Sequence, residues 1–97
     1  MMFSNERYLT REVADRVPVE IQILMWNLVE EIEGEKDYLQ VFEVIPNGSE
    51  FVEITHKQEI PEFTCNYIIK NVGIKTKMKL YIIDNGEYST MMFSHEY

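Results

Sequence analysis

Three features of the sequence predict an α+β fold, with one main helix packed on a mostly antiparallel sheet of about five to six strands, in the order β-α-β-β-β-β-β. One stretch, 18–34, repeats apolar residues at spacings of three and four. The chain after it breaks into short apolar segments, several alternating with polar residues. Asn-Gly pairs at 47–48 and 85–86 sit between such segments as hairpin turns do. Hairpin joints make antiparallel neighbours, and a helix on one face of such a sheet makes an α+β layer. The length suits a single globular domain spanning 1–97.

The elements follow in order. Tyr8, Leu9 and Thr10 are good strand formers and predict a short first strand near 7–11. In "PVEIQILMWNLVEEIEG" (18–34), Pro18 suits a first helical turn and Gly34 suits a helix end. Between them Ile21, Leu24, Met25, Leu28 and Ile32 form one stripe, the expected core face. "DYLQVFEVI" (37–45) and "SEFVEITHKQ" (49–58) flank the first Asn-Gly pair and predict a hairpin. In 62–70, Phe63, Cys65, Tyr67 and Ile69 alternate with polar residues, the pattern of a half-buried strand. A two-residue turn at Asn85-Gly86 would pair Leu80 with Met91 and Met78 with Phe93, and would set Lys75 opposite Glu96. The sheet's second face is then either solvated or covered by another chain.

Composition narrows the function. Apolar residues are 45% and charged residues 27%, the balance of a soluble protein. No apolar run reaches the roughly 20 residues that span a bilayer, and the N-terminus lacks the pattern of a signal peptide. Cys65 is the only cysteine, which suits a reducing cytoplasm. A net charge of −8 disfavours nucleic acid and anionic membranes as partners and favours basic protein surfaces.

Chemical motifs are few. In "HKQEIPEF" (56–63), His56 and Gln58 share a strand face with Val52 and Ile54, and Pro61 marks an end nearby. The bland reading is a hydrogen-bonded strand end. The sharper one puts His56, Gln58 and Glu59 at the rim of a ligand pocket lined by Tyr38, Phe42 and Tyr67, with a perturbed histidine pKa. No metal-ligand spacing, phosphate loop or nucleophile motif is present, so neither a cofactor nor a metal is expected.

The helix carries two oddities. Val19, Ile23 and Trp26 recur at i, i+4 and i+7, a second apolar stripe off the core face. Either segment 1–16 folds over it, or a protein partner or second copy does. Glu30, Glu31 and Glu33 fall where the helix dipole is already negative, so the cluster is either a solvated acidic approach to the loop or a surface for recognition of a basic partner.

"RYLTR" (7–11), the helix, "DYLQVFEV" (37–44), "HKQEIPEF" and "IDNGEYSTMMFSHEY" (83–97) together resemble the domain of unknown function 960 family of Gram-positive bacteria, the Firmicutes. The resemblance runs nearly end to end. It implies a cytoplasmic bacterial protein and supplies no activity or catalytic residue. The expected function is therefore a small acidic, non-enzymatic interaction protein. It would bind a protein partner through Val19, Ile23, Trp26, Glu30, Glu31 and Glu33, as a nucleic-acid mimic or inhibitor in its most specific form, and could pair with a second copy. The alternative is a ligand binder or enzyme built around His56, Gln58 and Glu59.

Overall fold

A computed structural model describes residues 2–97. The elements are β1 (Glu6–Leu9), α1 (Arg11–Arg16), α2 (Val19–Glu30), β2 (Leu39–Asn47), β3 (Phe51–Gln58), β4 (Phe63–Lys70), β5 (Met78–Asp84), β6 (Tyr88–Phe93) and a closing 3-10 turn at Ser94–Glu96. The fold is α+β, with six strands in one sheet ordered β1-β6-β5-β2-β3-β4. Four neighbouring pairs are antiparallel, and β1 runs parallel to β6.

Local chemistry explains most boundaries. Thr10 ends β1 and caps α1, its hydroxyl accepting from Val13 N–H at 3.3 Å. Pro18 is the N-cap of α2, one position earlier than a first-turn proline. The helix stops at Glu30, not near Gly34, and its last turn holds no basic residue. Acids at that end oppose the dipole and give the helix no reason to continue. Glu31 becomes the cap and Glu33 lies beyond it.

The core forms where α1 and α2 cover one face of the sheet. Ile21, Met25, Leu28 and Val29 pack with Phe42, Val44, Val52, Ile54, Leu80, Ile82, Met91 and Phe93. Two expectations about α2 need correction. Leu24 packs against the core but is only partly buried, whereas Trp26 is 8% exposed and belongs to the core. Around the axis Trp26 lies about 60° from Val29 and about 20° from Val19. It therefore sits on the border between the two stripes, and the N-terminal segment draws it inward. The Arg7 guanidinium of β1 lies 4.8 Å from the indole centroid and bonds to Glu30. Val19 and Ile23 are left 61% and 55% exposed.

The β5–β6 hairpin differs by two residues from the predicted register. Leu80 faces Phe93, and Ile82 faces Met91. The cause is side-chain chemistry in the turn. Asn85 Oδ1 accepts from the N–H groups of Glu87 and Tyr88, and Asp84 Oδ1 accepts from Gly86 N–H. These Asx turns lengthen the loop. A two-residue shift keeps every side chain on its expected face. Lys75 consequently has no Glu96 opposite it, and Lys77 reaches across to Glu43 of β2, at 3.6 Å. Asp84 also accepts from Phe3 N–H at 2.7 Å and from Asn5, so it ties the N-terminal segment to this hairpin. Burial pushes its carboxyl pKa up, but these hydrogen bonds outweigh burial and hold it below its ordinary value.

Candidate functional site

His56 ends up inside the protein. It is 0% exposed, stacked on Phe42 at 4.3 Å between centroids and edge-on to Phe63 at 5.2 Å. Its Nε2 is 2.6 Å from Gln40 Oε1. The Gln40 amide nitrogen already donates to the Asp37 carbonyl and to Gln58 Oε1, so Gln40 offers the ring an acceptor. His56 therefore carries its proton on Nε2, and its Nδ1 has no partner among the described residues. Gln58 completes the network. Its Oε1 accepts from Asp37 N–H at 3.0 Å and from Gln40, and its amide donates to the carbonyls of Glu35 and Pro61.

This arrangement holds the 35–40 segment against the β3–β4 turn. It makes "HKQEIPEF" a strand end with its turn, as the bland reading expects: β3 stops at Gln58 and β4 starts at Phe63. Of the three rim residues, His56 and Gln58 are brought together, and Glu59 is exposed in the turn. Phe42 touches the imidazole, while Tyr38 is 49% exposed away from it. An open hollow of about 510 Å³ lies on the other side of the sheet, where Val41, Glu43, Lys57, Thr64 and Lys79 meet Gln58, Glu59 and Glu62, so two of the three rim residues line it and His56 does not. It mixes three acids with two lysines and reaches no imidazole. No group of three His, Cys, Asp or Glu side chains is gathered for a metal among the described residues.

Burial pushes the His56 pKa down to about 4, because charging the ring would cost desolvation with no anion beside it. The unfolded chain binds a proton near pH 6.5 and the folded one resists it. This contribution to stability is complete above pH 6.5 and is lost as the pH falls toward about 4. Between pH 7 and pH 4 the loss should be on the order of 3 kcal/mol. Urea midpoints across that window should fall with acid, and in His56→Leu the same window should flatten.

The residues expected on a docking stripe are divided by the fold. Val19 and Ile23 stay exposed, Trp26 is covered, and Glu30 is engaged by Arg7. Glu31 and Glu33 are exposed near the helix end. The larger unpartnered feature is elsewhere, on the sheet face opposite the helices. On β3 and β4 this face is mostly polar, with Glu53, Thr55, Lys57, Thr64 and Asn66. On β2, β5 and β6 it carries an apolar patch, Leu39 and Val41, Tyr81 and Ile83, and Met92 in register, bordered by Thr90 and by the Glu43–Lys79 pair. Tyr8 joins it from β1, 5.2 Å from Tyr88. Tyr97 packs edge-on to Tyr81 at 5.7 Å. Tyr8, Tyr88 and Tyr97 are 49%, 40% and 71% exposed. The signal for this face was in the sequence. "QVFEVI", "LYIID" and "TMMF" are nearly continuous apolar runs, and such runs mark strands covered on both sides.

No helix among the described residues is long and apolar enough to cross a membrane. No curated protein matches the chain. Among solved structures, a protein of unknown function from Enterococcus faecalis shares the fold, with a TM-score of 0.75 at 16% identity over 96% of this chain and 91% of that one. The family model described as "Staphylococcal protein of unknown function (DUF960)" matches residues 6–96, which take in every strand, both helices and the His56–Gln40–Gln58 network, and the chain belongs to that family.

Proposed function

We propose that this is a non-enzymatic interaction protein that binds a protein partner through the uncovered face of its sheet. The observation that carries this reading is the apolar half of that face, where Tyr8 and Tyr88 are exposed, Ile83 and Met92 are half-buried, and Tyr81 is flanked by Tyr97. Tyrosine is enriched at the energetic centres of protein interfaces, since it brings a large apolar ring and a hydroxyl at low entropic cost. The exposed acids Glu31, Glu33 and Glu35, within a net charge of −8, would steer the protein toward a basic partner without themselves supplying most of the affinity.

Affinity isolation from a Gram-positive lysate, at low and at high salt, tests this. A partner held by the sheet face should stay bound at high salt and be lost from an Ile83→Lys/Met92→Lys double variant that still folds. Binding through the acids alone, as a nucleic-acid mimic would bind, should disappear at high salt and survive the double variant. That second result would overturn the sheet-face reading.

A further inference from the structure

The two edges of the sheet are built differently. β1 is four residues long and carries Glu6 and Arg7, both common protections of a sheet edge. β4 is eight residues long, pairs with β3 without a bulge from Phe63 to Lys70, and contains no proline and no charge before Lys70. Asn71 N–H bonds to the Glu50 carbonyl at 2.8 Å, so odd-numbered residues of β4 direct their backbone groups toward β3. The N–H and C=O groups of Thr64, Asn66 and Ile68 therefore point outward, with no strand beside them among the described residues. The side chains there are also incompletely covered. Ile68 is 68% exposed, and Phe63, Cys65 and Tyr67 are half-buried along an open groove of about 310 Å³ against Leu28, Glu31, Ile32 and Glu33 at the α2 end.

We propose that β4 pairs antiparallel with β4 of a second copy of this chain, about a two-fold axis normal to the sheet at Asn66, which makes one continuous twelve-stranded sheet. The strand is self-complementary in that register. Asn66 meets Asn66, Thr64 meets Ile68, and Glu62 of each copy meets Lys70 of the other. On the helix side, Phe63 meets Ile69 and Cys65 meets Tyr67. Opposite residues on paired strands share a face, so the apolar β4 side chains Phe63, Cys65, Tyr67 and Ile69 of the two copies adjoin, with the acids Glu31 and Glu33 set back on the helix side of each groove. A shift by one pair in either direction breaks both Glu62–Lys70 contacts. This interface lies at the far edge from the tyrosines of β1, β5 and β6, so it does not depend on the partner-binding reading and leaves that face free.

Sedimentation equilibrium of the purified full chain tests the proposal. The wild type should be a dimer. Asn66→Lys places like charges directly opposite at the axis and should raise the dimer dissociation constant about tenfold or more. Glu62→Lys should weaken the dimer, and Glu62→Lys/Lys70→Glu should restore it, which reads the register and not merely folding. Each variant is checked for an unchanged circular dichroism spectrum. A wild type that stays monomeric at the highest concentration reached, or a dimer that Asn66→Lys leaves intact, would overturn the proposal.

Discussion

Replacing Gln58 by alanine is expected to remove about 3 kcal/mol or more of folding stability. The side chain serves four partners at once: Asp37 N–H, the Gln40 amide, and the Glu35 and Pro61 carbonyls. It is 3% exposed, so water replaces it poorly. A buried donor or acceptor left without a partner costs about 1–3 kcal/mol, and some of these four will find water at the loop surface. Its neighbour Glu59 is exposed in the same turn, and Glu59→Ala should change stability by no more than about 0.5 kcal/mol. Chemical denaturation of the two variants separates a structural network from a polar rim. Equal and small effects would mean that Gln58 does not hold the 35–40 segment in place.

Trp26→Ala should cost about 3 kcal/mol or more, within the range for deleting a large core ring. The indole is 8% exposed, packed in the helix–sheet core and roofed by Arg7. Arg7→Ala should cost less than about 1 kcal/mol, since its contacts with Trp26 and Glu30 lie at the surface. The chain has one tryptophan, so its fluorescence reports this site alone. The emission should be blue-shifted and weakly quenched in the isolated protein, and should change little on partner binding. Strong quenching by an aqueous quencher would place the ring on an open docking stripe instead.

The contrast between these residues shows what the sequence could convey. Alternation placed Val52, Ile54, His56 and Gln58 on one face, and Phe63, Cys65, Tyr67 and Ile69 on another strand's inner face, because a strand's period of two has no competitor when one face is buried. The helix stripe was legible for Ile21, Met25 and Leu28 for the same kind of reason. Trp26 was not, because its angular position is shared by both stripes and the N-terminal segment, with Arg7 19 positions earlier on an edge strand, closes over it. Helix α1 has no legible period, because six residues are too few to display one, and the Thr10 cap is its one local sign. The hairpin register failed at Asp84 and Asn85, whose side chains compete with the backbone for the turn. The role of Gln40 is not legible in the sequence, because only the β2–β3 register, with Phe42 opposite His56, brings it to the imidazole. The tyrosine face needed the parallel β1–β6 pairing, which joins residues about 80 positions apart and which no local pattern announces.

The central claim is that the apolar half of the open sheet face is where another protein sits. A photo-crosslinking amino acid placed at Met92, in the middle of that face, and separately at Glu20, on the exposed side of α2, tests it inside the native host cell. Illumination should yield one discrete adduct from position 92 and none from position 20. An adduct from position 20 alone, or silence from both in cells that contain folded protein, would contradict the claim.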